Sequence, residues 1–380
     1  MAAMRKTGRP GFTLVEMLIG STILLVVIVI TLSLYSRSNK IVVDQQQYSD
    51  IQNDVRSAMY FLSRDVQNAG VGLSSQIGGY FLEGRDGYGP APEHSDSLLL
   101  MGNYETPLSL RIESFTGVNA RLYDGELQNM ALNCPDDLVN RNVMLISSSC
   151  PGCFAYRYIG HNSVHGCDGT NSFIQFQSAS SGINPPGGKF DESCGTDCWE
   201  NGFITFGEVR HYWLDTTGTP GDYAGLNLTV GENGYLGIPG TFYMTTSLAD
   251  GTTSHSPISM NIESLQFRYN GDLDEDGALD GFADWDSSWT ILAEDDSATR
   301  QAKAAVISRI RQVRMWVLGR TPKEFVSIRG TSPTLLHIFR RPSVANVAAA
   351  TADDNHRRFL LESTATIRNL SLGLYNDGIR

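Results

Sequence analysis

Residues 12–35 read FTLVEMLIGSTILLVVIVITLSLY, and Glu16 is the only ionisable side chain in this run apart from the final tyrosine. At about 1.5 Å per helical residue, the run is long enough to cross the hydrocarbon core of a bilayer, which is about 30 Å thick. A carboxylate costs a few kcal/mol in such a place, so it is a functional candidate. The run therefore predicts a transmembrane helix with one functional carboxylate, Glu16, near its start.

Three interpretations of this N-terminus compete. A secretory signal peptide needs a small-residue cleavage site after the apolar run, and the YSRS at 35–38 fits that requirement poorly. A plain signal anchor explains the apolar run but leaves Gly11 and Glu16 without a role. The third interpretation uses every residue: the stretch GFTLVEMLIG, residues 11–20, resembles the processing site of type IV prepilins.

The resemblance implies what each residue of this motif does. A prepilin peptidase would remove the basic leader 1–11 by cutting between Gly11 and Phe12, and the new amine of Phe12 would be methylated. The carboxylate of Glu16 would then pair with such an amine on a neighbouring subunit when the helices bundle. In a dry bundle a paired carboxylate costs much less than an unpaired one, so Glu16 is predicted to set register and docking.

Charge and composition predict the topology. The basic residues before the apolar run place the N-terminus in the cytoplasm and the body in the periplasm, with a single pass through the inner membrane. The formal net charge is −12 and would become −15 without the three basic residues of the leader. Such an acidic body argues against nucleic acid as the main ligand, because phosphate binding requires a clustered basic surface.

Six cysteines occur in a short Gly-, Ser- and Asn-rich stretch. In an oxidising compartment an even number favours disulfides, here three with 15 possible connectivities. Zinc binding and a redox role remain alternatives, because CPGC and CGTDC are pairs at ligand spacing. The six are Cys134, Cys150, Cys153, Cys167, Cys194 and Cys198.

Apolar residues at spacings of three or four continue the helix beyond the membrane, from residue 36 to 70, where Gly70 and Gly72 end it. Arg64 and Asp65 are predicted to lie off this apolar stripe. From residue 71 to 380 the pattern changes to short alternating runs separated by turn residues, which predicts a β-rich globular domain with a Cys-rich insertion at about 130–200. The predicted strands lie within 95–104, 142–147, 154–160, 172–178, 203–214, 262–270, 307–320 and 357–372.

Four of these segments narrow the resemblance. FITFGEVRHYWL, IESLQFRYNGDLDEDG, IRQVRMWVLGR and HRRFLLESTATIRN, in this order, resemble the body of the PilW group of minor pilins, and also the shorter J-type pseudopilins of type II secretion. The resemblance implies an α+β, pilin-like fold, in which a long N-terminal helix with a transmembrane first half packs on a β-rich periplasmic domain. The Cys-rich segment matches no family pattern.

The stretch NGDLDEDGALDGFADWD carries a second candidate site. Asp272, Asp274 and Asp276 alternate and Gly277 follows, as in the front half of an EF-hand-like calcium loop. The carbonyl of Ala278 and the carboxylates of Asp280 and Asp284 complete the predicted ligand set. The bidentate glutamate expected at the twelfth position is replaced by Ala283, so the flanking helices of an EF-hand are not implied. The alternative is a solvated acidic turn.

No catalytic motif is recognisable, and the histidines lack ligand spacing, so the chain is predicted not to be an enzyme. The predicted function is that of a minor pilin, which primes the assembly of a type IV pilus or lies at its tip. The predicted final location of the protein is the pilus fibre or the cell surface. Its implied partners are other major and minor pilins, the prepilin peptidase, the inner-membrane assembly platform and the membrane itself. A type II secretion pseudopilin and a pilus-borne adhesin that binds through the Cys-rich insertion are the alternatives.

Overall fold

The computed structural model describes residues 13–71, 81–87, 95–104, 109–116, 118–128, 133–136, 138–139, 141–147, 154–177, 196–206, 208–215, 240–247, 253–291, 295, 297–322, 341–350 and 356–368. The predicted cleavage residues Gly11 and Phe12, and the cysteines Cys150, Cys153 and Cys194, lie outside this set. The first element is a single continuous helix, α1, over Leu14–Gln67. At about 1.5 Å per residue its 54 residues extend for about 80 Å.

Helix α1 consists of two halves with different surroundings. Every described residue from 13 to 43 is exposed, whereas the second half buries one apolar face. The helix ends with Asn68 as its cap and Gly70 at a φ of +75°, which is the conformation that favours glycine after a helix. The buried residues are Ile51, Val55, Ala58, Met59, Leu62, Asp65 and Val66.

The rest of the described chain is mostly strand, with a second helix, α2, at Ser297–Ser308. The prediction of a strand over 307–320 is therefore correct only from Ile310 onward, because α2 occupies the residues before it. The strands are β1 Leu82–Arg85, β2 Ser97–Gly102, β3 Ser109–Thr116, β4 Asn119–Leu122, β5 Arg141–Ile146, β6 Phe154–His165, β7 Phe173–Gln177, β8 Phe203–Thr205, β9 Glu208–Asp215, β10 Thr241–Ser247, β11 Thr253–Ser259, β12 Ile262–Gly271, β13 Ile310–Arg320 and β14 Arg358–Thr366.

The strands form two open sheets and one barrel. One sheet has the order β1-β2-β9-β10-β11, the other has the order β12-β13-β14, and all the pairings are antiparallel. Helix α1 contacts strands of both sheets, and one apolar core extends from the helix through both. The α+β fold class predicted from the sequence, a long helix packed on a β-rich domain, is thereby confirmed.

The helix approaches the three-stranded sheet closely at Gly319 of β13. A Cβ added there would lie 2.5 Å from Cγ2 of Ile51 and 2.6 Å from Cγ2 of Val55. Such distances are shorter than any ordinary carbon contact. The absence of a side chain at this position is therefore what permits the helix to pack so close to the sheet.

A closed six-stranded barrel in the order β3-β4-β7-β6-β5-β8 lies between β2 and β9 in the chain. It has an apolar core of its own, which includes Ile112, Leu145, Ile174 and Trp199. The barrel spans residues 109–205 and so contains most of the stretch predicted as a Cys-rich insertion at about 130–200. That stretch therefore contributes strands to a closed barrel with an apolar interior.

Candidate functional sites

The exposed start of α1 is the first candidate site. Thr13 caps the helix, and Glu16 sits three residues later in a reciprocal capping box. Oε2 of Glu16 accepts the backbone N–H of Thr13 at 2.9 Å and the Thr13 hydroxyl at 2.9 Å, while the Thr13 Oγ1 accepts the Glu16 N–H at 3.3 Å. The carboxylate thus turns back to Thr13, the residue that follows Phe12 in the sequence.

The apolar surface on both sides of Glu16 is exposed among the described residues. Large apolar side chains from Leu14 to Val43 are at least half exposed at most positions, and Leu14 itself is 80% exposed. Helix α1 is the only described helix long and apolar enough to cross a membrane. Water is a poor solvent for such a surface, so lipid or other helices are its expected surroundings.

A buried ionic cluster fixes the docked half of α1. Asp65 is fully buried, which corrects the prediction that it lies off the apolar stripe. Its Oδ2 accepts from Arg210 Nη1 at 2.7 Å and from the hydroxyl of Tyr212, and its Oδ1 accepts from Arg64 Nε at 2.7 Å. Arg210 also binds Glu208 through two hydrogen bonds, at 2.9 and 3.1 Å.

The charge state of this cluster follows from its contacts. Burial alone would raise the pKa of Asp65, but hydrogen bonds from Arg64, Tyr212 and Arg210 outweigh burial and hold that pKa below its usual value. The sequence carried a signal for this residue, because position 65 follows positions 58 and 62 at helical spacing. It was missed because a charged residue is rarely assigned to a buried face.

The acidic loop after β12 gathers three of its predicted ligands. One carboxylate oxygen from each of Asp272, Asp274 and Asp276 lies within 4.8 Å of the others. Three backbone N–H groups donate to them: Asp276 N to Asp274 at 3.2 Å, Gly277 N to Asp272 at 3.2 Å and Ala278 N to Asp276 at 2.8 Å. Gly277 has a φ of +86°, which allows the turn at this point.

One oxygen of this group is deprived of both water and hydrogen bonds. Oδ1 of Asp272 is buried and, within the described part of the chain, has no hydrogen-bond partner. Leaving a buried carboxylate oxygen unsatisfied is costly, and a cation is one group that would satisfy it. The three carboxylates therefore fit a hard cation such as calcium, which prefers carboxylate oxygens.

The other predicted ligands of the loop differ in their surroundings. Oδ2 of Asp280 accepts the N–H of Leu273 at 2.6 Å, which holds it against the loop. Asp284 accepts two hydrogen bonds from the guanidinium of Arg268, from Nε at 2.6 Å and from Nη2 at 3.2 Å, and so is already paired with a positive charge. Ala283, at the twelfth position, pairs with Tyr269 of β12 as a strand would. The described contacts do not test the prediction that the Ala278 carbonyl is a calcium ligand.

The cysteines lie in and around the barrel. Cys134 and Cys167 form a disulfide with a Cα–Cα distance of 5.7 Å, which joins the segment before β5 to the segment after β6. Cys198 is also disulfide-bonded, and its partner lies outside the described residues. These three cysteines are thus unavailable as thiolate ligands for zinc, and the prediction of three disulfides in all is open to test.

Comparisons with known proteins show a likeness in structure but none in sequence. No protein-family model matches the chain, and no curated protein matches its sequence. A type IV-like pilin from Thermus thermophilus matches in structure over 84% of this chain and 97% of its own length, with 10% identity and a TM-score of 0.31. A likeness at that TM-score carries no argument about function, so the proposals below rest on the residues of this chain.

Proposed function

We propose that the chain is a minor pilin of a type IV pilus, anchored by the first half of α1 in the inner membrane and later held by that half in a fibre. The observation that carries this proposal is the contrast within α1. Its described residues up to Val43 form an exposed apolar rod, while the same helix from Asp44 onward is fastened to the globular domain. An exposed apolar helix of this kind can move from the lipid bilayer into a bundle of similar helices while the globular domain keeps its structure.

The place of Glu16 gives the proposal its chemistry. Its carboxylate closes the first turn of α1 on Thr13, and cleavage between Gly11 and Phe12 would create a positive amine one residue before Thr13 in the sequence. In a bundle of staggered helices, the amine of one subunit can approach the carboxylate of the next. This pairing would remove the cost of an unpaired charge in an apolar bundle. It would therefore stabilise the one axial register of neighbouring helices in which the two charges meet.

The size of the domain supports a position at the tip or a role in priming. Two sheets and a barrel follow α1, and a body of that size would crowd a regular shaft. A pseudopilin of a type II secretion system would use the same helix chemistry. Deletion of the gene separates the two: we expect loss of surface fibres, whereas loss of protein export with intact fibres would support the pseudopilin.

Processing and incorporation test the proposal directly. We expect N-terminal sequencing of membrane-extracted protein to begin at a methylated Phe12, and Glu16→Ala to insert in the membrane yet fail to enter fibres. The matched control is Thr22→Ala, which removes a polar group of the same helix that only bonds the Leu18 carbonyl, at 2.7 Å. Normal incorporation of Glu16→Ala, or protein that still begins at Met1, would contradict the proposal.

We further propose that the acidic loop binds calcium through Asp272, Asp274 and Asp276, with Asp280 beside them. The buried, unsatisfied Oδ1 of Asp272 favours this over a plain acidic turn. Asp284 is left out of the proposed set because Arg268 already binds it. The role of the ion would be structural, since the loop connects the end of β12 to the residues that lead into α2.

A further inference from the structure

The outer face of the three-stranded sheet, which is the face turned away from α1, carries two arginines side by side. Val313, Met315 and Val317 of β13 belong to the core shared with the helix. Arg314 alternates with them and therefore lies on the outer face. Arg268 of β12 is its direct cross-strand partner. Like charges that lie directly opposite each other destabilise a sheet, so each arginine is expected to have an anionic partner.

Only one of these two arginines has a close carboxylate partner among the described residues. Arg268 donates to both oxygens of Asp284, at 2.6 and 3.2 Å. Nε of Arg314 lies 3.6 Å from Oε1 of Glu362 on β14, which is too long for a hydrogen bond, and the two side chains are 37% and 52% exposed. The Nε of Arg314 is buried and, within the described part of the chain, has no hydrogen-bond partner. Arg314 therefore keeps most of its capacity to bind an anion.

Two aromatic rings hold the guanidinium of Arg314 in place. Its Cζ lies 3.9 Å from the centre of the Phe282 ring and 5.9 Å from the centre of the Trp316 ring. Trp316 is only 9% exposed. Phe282 precedes Ala283, whose backbone pairs with that of Tyr269 through two hydrogen bonds of 2.8 Å. Contact with the rings attracts the cation and restricts its orientation, so that an incoming anion meets donors that are already placed.

Uncharged hydrogen-bonding groups lie around Arg314 on the same face. Gln312 precedes it by two residues, and Oε1 of Gln312 accepts from Asn270 Nδ2 at 3.2 Å, so Nε2 is the remaining donor of this amide. Thr364 of β14 lies directly opposite Arg314 and is exposed. Thr366 lies opposite Gln312 and is also exposed. One charged fork, one amide and two hydroxyls match a ligand that carries one carboxylate together with several hydroxyls.

We propose that this face of the β12-β13-β14 sheet binds a carboxylated sugar, the uronic acid unit of a glycan, with its carboxylate on the guanidinium of Arg314. A planar guanidinium pairs with a carboxylate through two parallel hydrogen bonds, which a lysine could not form. The sugar hydroxyls bond to Gln312, Thr364 and Thr366 beside it. The inference does not depend on the proposed role in a pilus.

The surrounding charge favours a uronic acid over a strongly acidic partner. The chain has a formal net charge of −12, and one carboxylate lies on each side of β13, Asp284 at β12 and Glu362 on β14. An acidic protein surface would bring several negative charges against these groups, and such contacts between like charges are costly. A uronic acid brings a single carboxylate, and its hydroxyls can donate to Glu362.

Titration of the full chain with sodium glucuronate tests the site, in a detergent without a sugar headgroup and with binding followed by saturation-transfer NMR. We expect glucose, which has a neutral CH2OH in place of the carboxylate, to bind at least about tenfold more weakly, as the loss of one charge-assisted hydrogen-bonded pair implies. Arg314→Gln should cause a similar loss, whereas Glu362→Gln should strengthen binding by removing a competing carboxylate. Arg121→Gln is the matched control, because Arg121 is an arginine of the barrel that pairs with Glu113 at 3.0 Å, and it should bind as the wild type does.

A second variant keeps the site testable if Arg314→Gln folds poorly. Thr364→Ala removes an exposed hydroxyl, so it should weaken glucuronate binding and leave the urea midpoint unchanged. The inference would be overturned if the wild type does not bind glucuronate, if Arg314→Gln binds it equally well, or if glucose binds as tightly. Equal binding of acetate would show a simple anion contact, and tighter binding of a tetraglutamate peptide would show an acidic protein partner; either result would refute the sugar assignment.

Discussion

At the scale of single residues, the chain places charged groups where they hold α1 to the sheets. Asp65, Arg210, Tyr212 and Glu208 form a cluster at the C-terminal end of the helix. Asp54 accepts from Asn261 Nδ2 at 2.8 Å, and Asp44 pairs with Arg357 at 2.9 Å, nearer its middle. Polar contacts of this kind fix which face of the helix meets the sheet, since apolar packing alone tolerates rotation.

Replacement of Asp65 tests the cluster. We expect Asp65→Ala to lower the free energy of unfolding by about 3 kcal/mol, because the largely buried guanidinium of Arg210 loses one of its two carboxylate partners and keeps Glu208. Urea unfolding of the full chain in detergent measures the loss. Asp50→Ala, an exposed aspartate of the same helix, is the control and should change the midpoint little. Equal midpoints for the two variants would show that the cluster does not stabilise the docked helix.

The lowered pKa of Asp65 gives the same prediction a pH signature. A carboxyl whose folded pKa is depressed stabilises the protein above its unfolded pKa, and the gain disappears as pH falls through the folded value. Wild type should therefore lose stability below about pH 4 more steeply than Asp65→Ala does. Parallel acid-side curves for the two proteins would argue against the assignment.

At the scale of elements, the close approach of α1 to β13 is sensitive to a single added methyl group. Gly319→Ala places a methyl group against Ile51 and Val55, and overpacking of this kind costs about 1–3 kcal/mol. We expect Gly319→Ala to lower the unfolding midpoint. Gly20→Ala should leave the midpoint unchanged, because an added Cβ there meets nothing within 4 Å. If the added methyl group clashes with Val55, Gly319→Ala should lower the midpoint less in a Val55→Ala background than in the wild type. An equal loss in both backgrounds would contradict this clash.

The acidic loop is the second element whose behaviour can be measured. Calcium at a hundredfold excess over its Kd should stabilise the folded chain by about 2.7 kcal/mol, and magnesium at the same concentration should do much less. The double change Asp274→Ala with Asp276→Ala should abolish the response. Glu275→Ala is the matched control, because Glu275 lies in the same loop but binds Arg309. If neither calcium nor a chelator changes the melting temperature of the wild type, the loop does not bind calcium and is an acidic turn.

At the scale of the whole molecule, the barrel divides the first sheet in sequence, because it follows β2 and precedes β9, which pair directly. Its contact with that sheet includes the Asn103 amide, which donates to Thr205 of β8 at 3.3 Å. The Cys134–Cys167 disulfide spans 33 residues that include β5 and β6. The barrel is therefore a closed unit with its own core and its own covalent link, carried by a sheet that packs on α1.

Mass analysis tests the cysteine chemistry of this unit. If all six cysteines are paired, the intact protein should weigh six hydrogens less than the reduced chain and bind no zinc. Cys134→Ser with Cys167→Ser should lower the unfolding midpoint, since loss of a disulfide that closes a loop of this size costs about 2–4 kcal/mol. Free thiols with stoichiometric zinc in the native protein would instead favour the metal alternative for the remaining cysteines.

Local patterns in the sequence determined much of the fold. Residues 12–35 are apolar on every side of a helix, and the stripe through Ile51, Val55 and Leu62 continues it, so α1 could be predicted almost to its last turn. Alternation likewise predicted strands such as β9, β12 and β13, because side chains in a strand alternate between two faces. The resemblance to a prepilin processing site around Gly11, Phe12 and Glu16 is a property of the sequence alone.

Only the tertiary structure decided how these elements meet. Closure of the barrel depends on pairings such as β3 with β8, far apart in the chain, and nothing local to either strand specifies the other. The same holds for the link from Cys134 to Cys167, the burial of Asp65 and the pairing of Asp284 with Arg268. Each of these depends on long-range contacts, whose free energy exists only once distant segments are brought together, whereas helix and strand periodicity is set by neighbours along the chain.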